Sequence, residues 1–276
     1  MKKIMTGNEA IARGAYEAGC KVAAAYPGTP STEITEEAAK YNEIYCEWAP
    51  NEKAAVEVAF GASLAGMRSC SVMKHVGLNV AADPLFTASY TGVNAGMIIA
   101  VADDAGMHSS QNEQDSRHYA IAAKVPMLEP SDSSEALEFI EIAYEISERY
   151  DTPVLFKMCT RIAHSQSVVE TGQRMKMPLK SYKKNIPKYV MMPGNAKGRH
   201  PIIEQRTRDL ISYAETTALN RVEPGDTKLG IITSSTSYQY AREVFGEKVS
   251  ILKLGLVHPL PEKLIKDFAA KVDKLV

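Results

Sequence analysis

Between Gly7 and about His164, short apolar runs alternate with helix-like segments, and few folds accommodate that alternation. Glu9 to Ala18 reads as a helix closed by Gly19, and Lys21 to Ala25 as the strand after it. Ile44 to Trp48, Ser69 to Met73, Met97 to Ala102 and Pro153 to Met158 read as further strands. Among them lie an alanine-rich helix from Glu52 to Gly66 and an amphipathic helix from Ser134 to Arg149. Parallel strands need crossovers of this length, whereas hairpins do not. The pattern predicts an α/β fold, a parallel sheet with helices on both faces.

From about Val168 to Arg208 the period is lost. The stretch is rich in Lys, Pro, Gly and Met, and it reads as a long connection wrapped on the first domain. A helix is expected over Arg206 to Ala218. A strand (Lys228 to Thr233), a helix (Tyr238 to Phe245), a strand (Val249 to Leu254) and a helix (Glu262 to Lys274) are expected after it. Two strands do not close a sheet of their own, so the natural chain is expected to run on past Val276. The organisation expected is a domain over 1–167, a linker with a helix over 168–222, and the start of a second α/β domain over 223–276.

A formal net charge of −1 gives no global field for nucleic acid or an anionic membrane. No apolar run reaches the roughly 18 to 20 residues that span a bilayer. Met1 to Asn8 has two lysines but no apolar stretch after them, so a secretory signal is not expected and the cytoplasm is. Cys20, Cys46, Cys70 and Cys159 are scattered without paired spacing, which predicts buried thiols and no metal or cluster ligated within the chain.

Three segments carry the candidate chemistry. Tyr26-Pro27-Gly28-Thr29-Pro30-Ser31 follows a strand, where open parallel sheets bind ligands, and the hydroxyls of Thr29 and Ser31 could hold a carboxylate. A plain strand-to-helix turn with a cap explains that segment as well. The helix from Glu52 has almost no polar face. An acid in its first turn suits the helix dipole, but Gly61 and Gly66 cost roughly 1 kcal/mol each against alanine in a helix interior. Glycines are kept where a backbone or ligand comes close. The third segment is Met73-Lys74-His75-Val76-Gly77-Leu78-Asn79, followed later by the polar loop Asp103 to Asp115. A loop so rich in His, Ser, Gln and Asp points to a ligand or a partner. Cation ligation by His108 with Glu113 or Asp115 lacks a supporting His pair or cysteine.

In this order the segments resemble the pyrimidine-binding domain of thiamine-diphosphate-dependent 2-oxoacid:ferredoxin oxidoreductases. Within that family TGNEAIARGAYEAG, AAAYPGTPSTEI, WAPNEKAAVEVAFGASLAGMRS, MKHVGLNVAADPLF, DDAGMHSSQNEQDSRHYA and KVPMLEPSD are similar to the indolepyruvate type. The resemblance runs from Thr6 to His164 and resumes at Arg199-His200-Pro201, at Leu219 to Glu223 and at Leu252 to Pro261.

The resemblance implies a thiamine-diphosphate-binding fold followed by a transketolase C-terminal-like domain. In the family a glutamate hydrogen-bonds N1′ of the cofactor's aminopyrimidine and so activates the thiazolium C2, and Glu52 matches that position. Gly61 and Gly66 follow it at the family's spacing. Glu57 lies roughly 140° further round the helix and is the poorer candidate, a contact for the pyrophosphate domain instead. Thr29 matches the threonine that holds the 2-oxoacid carboxylate, and Gly28 fills the variable place before it. Lys74 or His75 is expected to face the substrate, for charge stabilisation or proton transfer. Ser31, His108 and Gln111 are expected to bind substrate, and Gly28, Gly77, Gln114 and Asp115 to border the cofactor or a subunit interface.

The reaction implied is oxidative decarboxylation of an aryl pyruvate to an acyl-CoA, with ferredoxin as electron acceptor. Coenzyme A is then a cosubstrate, and a second (beta) subunit and dimerisation are expected. The ligands for Mg²⁺ and the 4Fe-4S clusters are expected outside these residues. The fragment alone is expected to be inactive and to bind thiamine diphosphate weakly. Other readings are a pyrimidine-domain subunit of a different thiamine enzyme and a non-catalytic partner-binding scaffold.

Overall fold

The computed structural model describes all 276 residues. The chain begins β1 (Lys2–Thr6), α1 (Gly7–Glu17), β2 (Val22–Ala25), α2 (Thr32–Ala38), β3 (Tyr45–Trp48) and α3 (Glu52–Leu64). It continues with β4 (Ser69–Lys74), α4 (His75–Val80), α5 (Ala82–Thr91), β5 (Met97–Asp103), α6 (Arg117–Ala123) and β6 (Met127–Leu128). Then come α7 (Ser133–Tyr150), β7 (Val154–Cys159), α8 (Thr160–His164), β8 (Gln166–Glu170), α9 (Ile186–Tyr189) and α10 (Pro193–Ala214). The last elements are β9 (Asn220–Glu223), β10 (Gly230–Ser234), α11 (Ser235–Phe245), β11 (Ser250–Leu254), β12 (Leu256–His258) and α12 (Glu262–Ala269).

Seven strands form the main sheet in the order β12-β6-β7-β5-β4-β2-β3. All its pairings are parallel except that of β12 with β6. Strand β5 shows why both faces must be covered. Ile98, Ala100 and Ala102 enter one apolar cluster with residues of α1, α2 and α7. Met97, Ile99 and Val101 enter another, with residues of α3, α4, α5, α6 and α12. A period of two with no polar side is the mark of a strand buried on both faces. At the chain's start Thr6 and Glu9 form a capping box that opens α1.

The aperiodic stretch is a strap. Arg174 donates to the Tyr16 and Cys20 carbonyls, and Lys180 N–H to Gly66 O, so it lies along the amino ends of the sheet strands. The helix expected from Arg206 in fact starts at Pro193 and runs through Gly194, Gly198 and Pro201. Two buried arginines anchor it. Arg199 donates to Tyr90 O and Asp151, and Arg206 to Ser89 O, Ser89 Oγ and Asp151 O.

The last part of the chain forms a three-stranded sheet, β10-β11-β9, with β9 antiparallel to β11. Charged contacts seat it on the main body. Fully buried Lys253 pairs with Glu135, Arg221 reaches the same carboxylate at 3.0 Å, and Gln239 donates to Asp132. No helix is long and apolar enough to cross a membrane.

Candidate active site

The crevice lies at the carboxyl ends of β2, β4 and β5. From β2 the chain goes outward to β3 and then returns to the other side of β2 as β4, a reversal of strand order at which open sheets bind ligands. A cavity of about 450 Å³ opens there, between Tyr26 and Pro27 on one wall and Met107 to Gln111 on another. Glu52, Lys74 and Val76 complete it.

Glu52 enters from the first turn of α3, whose start is capped by Asn51 Oδ1 accepting from Ala54 N–H at 2.9 Å. The residue is 9% exposed, and no N–H or O–H of the chain donates to its carboxylate. Its neighbour is Gly77 in α4. A Cβ at Gly77 would lie 2.6 Å from both Cγ and Oε1 of Glu52, so the glycine is a steric requirement of that carboxyl position. Glu57 points to solvent on the same helix.

Lys74, the last residue of β4, donates to Ser109 O and Ser110 Oγ, both at 3.0 Å. A Cβ on Gly28 would meet its stem at 3.2 Å, so Gly28 makes room for the lysine to lie along the Tyr26–Ser31 turn. Thr29 is exposed, and its carbonyl accepts from Ser109 Oγ at 3.1 Å. Ser31 is fully buried and spends its hydroxyl on Gly28 O at 2.8 Å, so it closes the turn and does not face the cavity. Its neighbour Thr32 accepts from Gly28 N–H at 2.8 Å.

His75 is fully buried, away from the cavity that Lys74 lines. The polar loop after β5 divides between two spaces. Met107 to Gln111 line the first. His108, Gln114 and Asp115 line a second cavity of about 820 Å³, between the ends of β5 and β7 and the start of α11.

Five of the charges in that second space are paired among themselves. Lys157 lies 2.6 Å from Glu129 and 3.6 Å from Asp103, and Arg117 bridges Glu129 at 2.9 Å and Asp115 at 3.0 Å. Burial opposes the charge on Glu129, and the two cations outweigh it and hold its pKa below the ordinary value. Burial raises Asp103 despite Lys157 and Ser116. No group of three or more His, Cys, Asp or Glu is placed to hold a metal ion.

Sequence reasoning missed Asp104 as the centre of the loop. Its carboxylate accepts from Ser109 N–H at 2.7 Å, Ser110 Oγ at 2.8 Å and Thr160 Oγ1 at 3.0 Å. Burial works against its charge, and these donors outweigh it and lower its pKa to about 2. An aspartate followed by two serines within one polar loop is the available signal, a carboxylate that can gather hydroxyl and amide donors.

A family model described as "Pyruvate flavodoxin/ferredoxin oxidoreductase, thiamine diP-bdg" matches residues 13–228. The chain belongs to this family. The indolepyruvate oxidoreductase subunit IorA of Archaeoglobus fulgidus is 42% identical, over 100% of this chain and 46% of its own length. That of Methanothermobacter marburgensis is 45% identical over 98% of this chain and 45% of its own length. This member of the family therefore spans about half the length of those relatives. A 2-oxoglutarate synthase subunit KorA, also of Archaeoglobus fulgidus, is 24% identical over 99% of this chain and 86% of its own.

The fold agrees. A 2-oxoglutarate:ferredoxin oxidoreductase from Magnetococcus marinus, solved with 2-oxoglutarate, coenzyme A and succinyl-CoA, superposes with a TM-score of 0.82. The match covers 99% of this chain and 57% of that one at 20% identity. The α/β architecture is thus the thiamine-diphosphate-binding fold of the pyruvate flavodoxin/ferredoxin oxidoreductases.

The residues present fit such a cofactor at one end. Glu52 offers a carboxyl group without a protein partner beside an open cavity, and Gly77 leaves space against it. The Glu52 oxygens open on the cavity and are free to accept a donor from a ligand there.

Proposed function

We propose that this chain is the amino-terminal part of an indolepyruvate-type 2-oxoacid:ferredoxin oxidoreductase subunit and supplies the pyrimidine-binding half of its thiamine diphosphate site. The observation that carries the proposal is Glu52: buried, unpartnered, set by Gly77 and aimed at the cavity below Lys74. When bound, thiamine diphosphate supplies the electron sink for decarboxylation of a 2-oxoacid.

The chain's own groups do the rest. Glu52 is the group placed to hold or share a proton with the pyrimidine nitrogen. Lys74, fixed by Ser109 and Ser110, places a positive charge over the cavity for the substrate's carboxylate or a developing oxyanion. Thr29 is proposed for the same carboxylate by the resemblance alone: it is exposed on the adjoining turn and does not line the cavity. His108 and Gln111 line the cavity, and Gln114 and Asp115 lie towards the second space.

The substrate class is an aryl pyruvate, by likeness to the two indolepyruvate relatives. Coenzyme A as acyl acceptor, ferredoxin as oxidant, a beta subunit, a dimeric arrangement and a cytoplasmic location belong to the same proposal. So do Mg²⁺ and 4Fe-4S clusters ligated outside these residues, and a domain plan of 1–167, 168–222 and 223–276. Without those parts this chain alone is inactive and holds thiamine diphosphate weakly.

The test is 2-oxoacid-dependent reduction of a viologen dye by the complete complex, wild type against Glu52→Gln. Activity with indolepyruvate that falls at least about 100-fold in the variant, with folding intact, is expected. Retained activity in the variant removes Glu52 from the mechanism. No activity with any 2-oxoacid in the wild type removes the oxidoreductase reading.

A further inference from the structure

His75 opens α4 directly after β4, between two residues of the crevice, Lys74 and Val76, yet its own side chain is fully buried. Both ring nitrogens are engaged by backbone. Nδ1 accepts from Asp104 N–H at 3.2 Å, and Nε2 lies 2.9 Å from Asn112 O. An N–H can only donate and a carbonyl can only accept. The pair of contacts therefore selects one state of the ring: neutral, with its proton on Nε2.

The two partners bracket the segment that walls the crevice. Residues 105–111 lie between them without helix or strand, and Met107 to Gln111 face the cavity. Inside the bracket Asp104 gathers Ser109 and Ser110, and Ser109 reaches across to Thr29 O. Lys74 is held by the same two serines. One buried ring thus fixes both ends of the loop on which the lysine's position depends.

We propose that His75 is a positioning residue, a neutral clamp that holds the 104–112 loop over the Glu52 crevice, and that it transfers no proton during turnover. The clamp stands on its own geometry, and its effect on catalysis rests on the function proposed above. A proton carrier needs one nitrogen facing the reacting atoms. Here both nitrogens face main-chain groups in the interior.

Two variants separate the bonds. Asparagine can present an acceptor near the place of Nδ1 and leaves Asn112 O without its donor. Glutamine can present a donor near the place of Nε2 and leaves Asp104 N–H without its acceptor.

In the complete complex, hydrogen–deuterium exchange of the loop amides is expected to speed up in both His75→Asn and His75→Gln. KM for the 2-oxoacid is expected to rise about fivefold for each bond lost, with kcat within about threefold of wild type. Exchange unchanged in both variants overturns the clamp. A kcat loss of about 100-fold in both, at unchanged KM, overturns the positioning role in favour of proton transfer.

A third measurement needs no variant to fold. Long-range ¹H–¹⁵N correlation on the wild-type chain near neutral pH is expected to show one histidine with an unprotonated Nδ1 and a hydrogen-bonded Nε2–H. Absence of such a histidine also overturns the proposal. Because exchange and tautomer are read without turnover, a complex with no oxidoreductase activity sinks the proposed function and leaves the clamp to be judged by itself.

Discussion

Replacing Gly77 by alanine puts a methyl carbon into space that Glu52 already holds. The new Cβ lies 2.6 Å from Glu52 Cγ, 2.6 Å from Oε1 and 2.8 Å from Cδ. Carbon–carbon contacts relax near 3.5 to 4.0 Å, so the carboxyl must retreat by about 1 Å. The retreat is easy on the fold. The clashing atoms end a flexible side chain beside a cavity of about 450 Å³, and alanine in a helix interior gains up to about 1 kcal/mol over glycine.

It is hard on the chemistry, because a catalytic group displaced by about 1 Å costs on the order of 100-fold in rate, or about 2.7 kcal/mol. Gly77→Ala is therefore expected to keep its thermal midpoint while viologen reduction by the complex falls about 100-fold. The control is Gly61→Ala on α3, where a Cβ meets nothing within 4 Å. In this chain alone it is expected to gain up to about 1 kcal/mol and leave Glu52 where it is. Full activity in Gly77→Ala, or a loss that tracks a fall in stability, would refute this reasoning.

Two further outcomes concern the charges beside the crevice. Lys157→Met leaves Glu129, which is 0% exposed, with Arg117 as its one remaining cation. It is expected to lower unfolding free energy by about 3 to 5 kcal/mol in urea, and a change below about 1 kcal/mol would contradict the pairing. Asp104 has its pKa lowered from 3.8 to about 2, so its share of stability is complete above the ordinary value and is lost as pH falls through the folded one. The stability gap between wild type and Asp104→Asn is expected to narrow as pH drops from about 4 to about 2, and a gap independent of pH in that window would exclude the carboxylate as its source.

How legible was this in the sequence? The alternation of apolar runs with helices was enough for the doubly covered sheet, because β5 and its neighbours need nothing beyond local pattern to declare themselves buried. The two polar segments were legible as candidates because polar loops at strand ends stand out against an apolar sheet, and the Glu52 helix because of its glycines.

Helix α10 was half hidden. Gly194, Gly198 and Pro201 argue against a helix, and it is kept by Arg199 and Arg206 reaching distant carbonyls, which no local window contains. Strand β12 was hidden altogether. Three residues make a weak signal, and their partner β6 lies near residue 128. Ser31 and His75 show the limit at the crevice itself. Residue type and place suggested that both face a ligand, and only the partners of their polar atoms show one closing a turn and the other tying down a loop.

The pairing of β12 with β6 also has a temporal meaning. During synthesis β6 emerges long before Leu256, so this side of the sheet stays open, with its backbone groups unpaired, until the chain has been made to residue 258. The last strand to appear is the one that seals the flank nearest the second cavity. A nascent chain thus carries a sticky border from the making of Leu128 to that of His258, and a chaperone or an early partner that shields that border would be expected to raise the yield of folded protein more than one acting on the β3 side.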